Sequence, residues 1–149
     1  MSREFSQNIV SSGKIIDFHT HPYRHRGEFM GMYGEHFYLE PEQTEVMVGN
    51  CPGVTFVAAH PGQKADYLLH VERMKKFPNL NLDISGTGLF RYGLLAALAQ
   101  TVGSDRILFG TDYPICNPRM YVQAVLGEHI PDEDKEKILF GNARRILGI

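Results

Sequence analysis

The sequence predicts an α/β fold in which helices cover a parallel β-sheet. From residue 54 onward, short apolar runs alternate with helical segments, and this alternation is typical of β–α–β units. The apolar runs are continuous, as expected for parallel strands that are buried on both faces. The chain of 149 residues is long enough for one domain with a sizeable core, so we expect a single domain over 1–149.

The individual elements follow from the same patterns. We expect strands at 14–18, 54–59, 80–85 and 106–110. We expect helices at 40–48, at 64–76, at 92–102 and from residue 131 to the end, with a shorter segment at 120–126. Gly103 is placed to end the third helix, and Pro131 with the acidic residues after it is placed to begin the last. Residues 1–13 are polar and lack periodicity, which predicts a loose arm.

Composition excludes several classes of partner. A formal net charge of −2 and a pI near 6.4 predict neither a nucleic acid nor an anionic membrane as partner. No apolar stretch approaches the roughly 18 residues of a membrane span. The two cysteines form no CxxC pair, and the N-terminus lacks the apolar centre of a signal peptide. A cytoplasmic location is therefore expected.

A pair of histidines ends the first predicted strand. His19 and His21 lie two residues apart, so in a strand both imidazoles point to the same side, as a shared metal ion requires. The pair alone is weak evidence, because seven histidines in 149 residues produce such spacings by chance. Its position after an apolar run and before Pro22 strengthens the prediction of a metal site.

Two later apolar runs also end in a polar residue that a proline soon follows. His60 follows the run at 54–59, and Asp112 follows the run at 106–110. Because the C-terminal ends of parallel strands meet at one edge, these side chains are predicted to approach the histidine pair. Imidazoles and a carboxylate suit zinc or a similar divalent ion. The alternatives are a turn cap for Asp112 and a histidine bonded within its own loop for His60.

Other residues near these positions are candidates for substrate binding or for support. Arg24 could bind a substrate carboxylate, since guanidinium matches its geometry. Tyr23 and Tyr113 are candidate pocket walls. Asp17 precedes His19 by two residues and could orient it as a ligand. A structural role is expected for three residues of the third strand region, namely Asp83, Ser85 and Thr87.

Five motifs in this order resemble a known family. They are IIDFHTHPY, VTFVAAHPG, NLNLDISG, RILFGTDYP and KEKILFGNARRILGI. Together they resemble the amidohydrolase-related family of metal-dependent TIM-barrel hydrolases, in the branch that includes the aminocarboxymuconate semialdehyde decarboxylase-like enzymes. The resemblance covers residues 14–25 and nearly all of 52–149.

The resemblance implies roles for four residues. His19 and His21 would be first-strand metal ligands, Asp112 the eighth-strand ligand and a proton acceptor, and His60 an acid/base at the end of the sixth strand. The implied function is hydrolysis of a small, carboxylated or cyclic substrate by metal-activated water, with zinc as the expected ion. Non-oxidative decarboxylation at the same metal site is the alternative within the family.

The length of the chain departs from the family pattern. A complete (β/α)8 barrel needs about 200 residues or more, so a partial barrel is expected. The interval 22–53 holds one loop and one helix where the family places its second to fifth strands, including a fifth-strand histidine ligand that His25 or His36 could replace. Three accounts remain open: an internal deletion near 44–51, assembly of chains into a homo-oligomer, or residues missing from the sequence. A truncated, inactive domain that oligomerises is therefore a further alternative.

Overall fold

The computed structural model describes residue 7 and residues 15–19, 41–59, 67–86 and 91–149. Apart from residue 7, the predicted arm at 1–13 lies outside this range, and so does the loop that follows the histidine pair. No helix in the described part of the chain is long and apolar enough to cross a membrane.

A parallel sheet forms the centre of the described structure. Its strands are β1 (Phe56–Ala58), β2 (Leu80–Asp83) and β3 (Ile107–Leu108), in the spatial order β1-β2-β3. Ala58 pairs with Leu82, and Leu82 pairs with Ile107. The predicted α/β class and the parallel pairing are confirmed, although each strand is shorter than predicted.

The segment 15–19 runs beside β3 without forming a regular strand, so the strand predicted at 14–18 is wrong. Phe18 N–H donates to the Phe109 carbonyl at 2.9 Å. The His19 carbonyl then accepts from both Thr111 N–H and Asp112 N–H, at 3.3 and 2.9 Å. Two donors on one carbonyl break the even spacing of a parallel ladder. Successive carbonyls of a strand point to opposite sides, and the Phe109 carbonyl points away from β2. The segment 15–19 therefore lies on the side of β3 away from β2.

The helices correspond to those predicted, with shifted ends. They are α1 (Pro41–Asn50), α2 (Tyr67–Met74), α3 (Leu94–Val102), α4 (Pro118–Gly127), α5 (Asp132–Glu136) and α6 (Asn142–Leu147). Gly103 ends α3 as expected, since its N–H donates to the Ala99 carbonyl. α4 begins earlier than the segment predicted at 120–126, because the Asn117 side chain accepts from Arg119 N–H and Pro118 occupies the first turn.

The final helix is not a continuous α-helix. A π-helical turn, Lys137–Gly141, separates α5 from α6. Two carbonyls of this turn accept from outside the helix: Ile138 O accepts from Phe109 N–H at 2.9 Å, and Leu139 O from Ile16 N–H at 3.0 Å. We attribute the wider turn to these bonds, which draw the helix onto β3 and the first segment.

The hydrophobic core lies between the sheet and the helices. Leu80, Leu82 and Ile84 are buried against residues of α3 and of the final helix, among them Leu95 and Leu139. The intervening residues of β2 are polar and equally buried: they are Asn81, Asp83 and Ser85. The expectation of continuous apolar runs is therefore wrong for β2, whose two faces differ. Its apolar face builds the core, and its polar face carries side chains toward the site.

Candidate metal centre

Polar side chains from three chain segments meet at the C-terminal edge of the sheet. His19 ends the first segment, Asp83 ends β2, and Asp112 follows β3 after a short extension. Their side chains are 14%, 3% and 7% exposed, respectively. The convergence follows from parallel pairing, which brings the ends of neighbouring strands to the same edge.

The two nitrogens of His19 face different partners. Nδ1 lies 2.8 Å from Asp83 Oδ2 and 2.9 Å from Ser85 Oγ. Nε2 lies 3.6 Å from Asp112 Oδ1, which is beyond hydrogen-bond distance. The imidazole thus stands between two carboxylates, with one edge hydrogen-bonded and the other edge directed at Asp112.

The bonds around Asp83 determine which nitrogen of His19 carries the proton. The Ser85 hydroxyl donates to Asp83 Oδ1 at 2.5 Å, so its oxygen is left to accept from Nδ1. Asp83 Oδ2 is an acceptor as well, because an ionised carboxylate has no proton to give. Nδ1 therefore carries a hydrogen, and in the neutral imidazole the lone pair is on Nε2. That lone pair faces a carboxylate oxygen, an arrangement that favours a proton or a metal cation between the two atoms.

The electrostatics of the site also favour a positive charge at His19. The pKa of His19 is raised above its ordinary value, chiefly by the hydrogen bond to Asp83. Burial opposes the shift, and the negative charges of Asp83, Asp112 and Asp17 add to it. The surroundings of this imidazole thus stabilise positive charge.

A third carboxylate, Asp17, joins the first segment to the loop after β3. Asp17 accepts from Thr111 N–H at 3.0 Å and from the Thr111 hydroxyl at 2.5 Å. It also accepts from His19 N–H at 3.3 Å. Because Asp17 contacts both sides, it helps to set the separation of His19 and Asp112. This geometry is compatible with the orienting role predicted for Asp17.

The backbone at Asp112 is shaped by its own loop. Asp112 adopts a left-handed conformation with φ of 60°, which aspartate tolerates better than most residues. Its carbonyl accepts from Ile115 N–H at 2.8 Å, and its N–H donates to the His19 carbonyl. These bonds close a tight turn that brings the carboxylate back toward the first segment.

Tyr121 is a buried residue of α4, and its hydroxyl lies near the site carboxylates. Its hydroxyl donates to Cys116 Sγ at 3.5 Å. Burial is the main cause that raises the pKa of Tyr121 above its ordinary value, and the neighbouring thiol and the carboxylates add to it. The hydroxyl therefore stays protonated and adds no negative charge to this side of the centre.

The predicted site residues fall into two groups. His19 and Asp112 lie together, and Tyr113 follows Asp112 with 52% of its surface exposed. The others lie outside the described residues, and their roles remain predictions: they are His21, Tyr23, Arg24 and His60. The substitutes considered for the missing ligand, His25 and His36, also lie outside.

Asp83 and Ser85 are in direct contact with His19, although the sequence suggested only a structural role for them. The signal that could have identified them is the alternation in LNLDIS, where every second residue from Asn81 is polar. Polar residues on one face of a strand that is buried on both faces need partners on that face. Polar side chains that contact each other at the end of a strand are typical of a functional site.

The donors present fit a divalent cation. Among the described residues, no three histidine, cysteine or carboxylate side chains form a complete metal-binding cluster. His19 Nε2 and Asp112 Oδ1 nevertheless face each other at 3.6 Å with suitable donor chemistry. The other nitrogen of the imidazole is held by a carboxylate, as is usual for a histidine that binds metal.

A match to a family model agrees with this geometry. Residues 35–149 match the model described as amidohydrolase. The chain belongs to this amidohydrolase family. None of the curated protein sequences matches the chain.

Solved structures show the same fold. An uncharacterised TIM-barrel protein from Bordetella bronchiseptica is 32% identical with a TM-score of 0.63, over 72% of this chain and 39% of its own. An amidohydrolase from Burkholderia multivorans with bound zinc is 15% identical with a TM-score of 0.62, over 73% of this chain and 49% of its own. A dihydroxybenzoic acid decarboxylase from Polaromonas sp. JS666, with manganese and the inhibitor 2-nitroresorcinol, is 20% identical with a TM-score of 0.57. That alignment covers 99% of this chain and 54% of the decarboxylase.

This amidohydrolase-family chain thus spans between 39% and 54% of the length of these three structures. The predicted correspondence to part of a (β/α)8 barrel is confirmed. Its sheet, its helices and the first segment beside β3 account for a portion of such a barrel. Barrel closure places the first strand beside the last, which is where residues 15–19 lie.

Proposed function

We propose that the chain is a metal-dependent hydrolase that holds a divalent cation between His19 and Asp112 and acts on a small, carboxylated or cyclic substrate. Membership of the amidohydrolase family supports an enzyme. The observation that carries the proposal is the orientation of His19, whose Nε2 faces Asp112 Oδ1 at 3.6 Å while Nδ1 is held by Asp83. Zinc is the proposed ion, and His21 is a further proposed ligand.

The cation would supply Lewis acidity toward a carbonyl oxygen and would lower the pKa of a water molecule. The chain's own residues would transfer protons and bind the substrate. The Asp112 carboxylate is proposed to accept a proton in addition to binding the cation, and His60 is proposed to move protons with it. Arg24 would bind a substrate carboxylate, and Tyr23 and Tyr113 would line the pocket.

Non-oxidative decarboxylation is a second candidate. It is favoured by the alignment of 99% of this chain with the Polaromonas decarboxylase, whose structure contains manganese and an aromatic inhibitor. The two candidates differ in their products. A hydrolase consumes water and releases two fragments, whereas a decarboxylase releases carbon dioxide and returns a proton to the substrate carbon.

The metal content of the purified protein tests both candidates. We expect near-stoichiometric zinc or manganese by plasma mass spectrometry in the wild type, and a large loss in His19→Ala and in Asp112→Asn. The matched control is His129→Ala, because His129 is an exposed histidine whose bond to Glu128 comes from its backbone. Circular dichroism establishes that each variant is folded.

Two results would contradict the metal site. One is wild-type protein that binds no metal even after dialysis against zinc or manganese. The other is equal metal content in the wild type, in His19→Ala and in Asp112→Asn, since the bound metal would then lie elsewhere. With metal bound, carbon dioxide release from hydroxybenzoates distinguishes decarboxylation from hydrolysis of lactones or esters.

A further inference from the structure

We propose that Asp83 and Ser85 are positioning residues that hold His19 in one tautomer and one orientation, with Nδ1 protonated and Nε2 directed at Asp112. The inference rests on the proposed function, because it explains how the chain would orient His19 to bind a cation. The tautomer of His19 can be measured without any metal. Neither residue would touch the cation or the substrate.

The first step is the pair of hydrogen bonds that Ser85 donates to Asp83. Ser85 approaches Asp83 Oδ1 twice, through its hydroxyl at 2.5 Å and through its backbone N–H at 3.0 Å. Both residues are buried, at 2% and 3% exposure. These bonds fix the carboxylate plane, because one oxygen is held by a residue only two positions away.

The second step is the contact with His19. With Oδ1 bound to Ser85, Oδ2 accepts from His19 Nδ1 at 2.8 Å. The Ser85 oxygen lies 2.9 Å from the same nitrogen and has already donated its hydrogen to Asp83. Two acceptors at one nitrogen admit only the Nδ1–H form, because a lone pair there would face two further lone pairs. In the neutral ring the lone pair is then on Nε2, the nitrogen that faces Asp112.

The third step is the rigidity of the support. Asp83 is the last residue of β2 and pairs with Leu108. Ile84 N–H donates to the Leu108 carbonyl at 3.1 Å, which continues the sheet between Asp83 and Ser85. The pair therefore stands on the sheet itself rather than on a free loop. A site supported in this way keeps its geometry with little reorganisation.

Two substitutions test the inference. Asp83→Asn replaces an acceptor with an amide that can donate to Nδ1, which would favour the opposite tautomer. Ser85→Ala removes one acceptor and frees the carboxylate from its hydroxyl bond. The matched control is Ser104→Ala, because Ser104 is a buried serine that donates to a carboxylate, Asp134, at 2.6 Å. Ser104 precedes β3, at the end of the sheet opposite to the site.

The first measurement is made on metal-free protein. Long-range ¹H–¹⁵N correlation spectra at alkaline pH report the tautomer of the neutral His19 ring. We expect the Nδ1–H form in the wild type and in Ser104→Ala, a mixture in Ser85→Ala, and the Nε2–H form in Asp83→Asn. The His19→Ala protein assigns the signal.

The second measurement is the dissociation constant for zinc, obtained by competition with a chelator. We expect affinity to fall by about 10–100-fold in Asp83→Asn and by less in Ser85→Ala, with no change in Ser104→Ala. An unchanged tautomer in both site variants would overturn the inference, and so would an equal loss of affinity in Ser104→Ala. A fixed Nδ1–H form in wild-type protein that binds no metal would support the positioning role while contradicting the proposed function.

Discussion

At the residue scale, Gly110 shows how closely the segments of the site approach. A Cβ built at this position would lie 2.9 Å from the Cβ of His19 and 3.3 Å from the Cβ of Asp83. Both neighbours are atoms next to the backbone, so rotation of a side chain does not remove the clash. The contact between His19 and Asp83 therefore depends on a residue without a side chain between them.

We predict that Gly110→Ala destabilises the protein by about 1–3 kcal/mol and separates His19 from Asp83. The measurement is chemical denaturation followed by the metal-content assay. Gly127→Ala is the matched control, because a Cβ at Gly127 would meet no atom within 4 Å. Alanine there leaves stability unchanged or raises it by up to about 1 kcal/mol. Equal stability of the two variants would contradict the close approach.

Some of the site residues could be predicted from the sequence, and others could not. His19 and Asp112 stand out in the sequence because each is a metal-binding residue type at or just after the end of an apolar run. The contact of Asp83 with His19 was not predicted, because a single carboxylate in a strand has many structural explanations. Only the distance to His19 Nδ1, 2.8 Å between segments that lie 64 positions apart, reveals its contact.

At the scale of elements, Arg106 joins α2, β2 and β3. Its guanidinium donates to three carbonyl oxygens, those of Met74, Phe77 and Leu80, at 2.5 to 3.0 Å. Burial lowers the pKa of Arg106 somewhat below its ordinary value, yet an arginine remains charged at neutral pH. One half-buried cation thus satisfies the carbonyls where the chain leaves α2 and enters β2.

We predict that Arg106→Met lowers the free energy of unfolding by about 2–4 kcal/mol, because several buried carbonyls lose their donor. Thermal and urea denaturation measure the effect. The matched control is Arg145→Met, whose exposed guanidinium donates to one carbonyl, that of Asp105. A change within about 0.5 kcal/mol is expected there. Similar losses in both variants would show that these internal bonds contribute little.

The elements themselves were largely predictable, but only some of their ends were. Gly103 and Pro131 mark helix boundaries through their own backbone chemistry, so the sequence identifies them. The π-helical turn at Lys137–Gly141 has no such local signal. It coincides with bonds from Phe109 and Ile16, and tertiary partners of this kind cannot be inferred from the periodicity of the helix.

At the scale of the whole molecule, the sheet is smaller than that of a full barrel. Among the described strands, β1 pairs with β2 on one side only. The chain spans about half the length of its solved relatives, or less. A strand at the edge of a sheet presents backbone N–H and C=O groups that favour pairing with another chain.

We predict that the protein forms a homo-oligomer in which a second copy pairs with the β1 edge. Sedimentation velocity is expected to give a multiple of the 16.9 kDa chain mass at micromolar concentration. The test variant is Val57→Pro, which removes a backbone donor from β1. Its control is the conservative Val46→Ala in α1, because a proline at that position would break the helix. A species of 16.9 kDa at every concentration would contradict the prediction.

The sequence by itself determined the α/β class, the parallel sheet and the family, because these depend on patterns that repeat along the chain. It also indicated His19 and Asp112 as candidates, because each lies at or just after the end of an apolar run, where chemistry is expected. Only the tertiary structure decided which nitrogen of His19 is directed at Asp112, and that Asp83 and Ser85 contact the other nitrogen. The physical reason is that hydrogen-bond partners are set by the distances between folded segments, and residues such as His19 and Asp83 become neighbours only when the sheet forms.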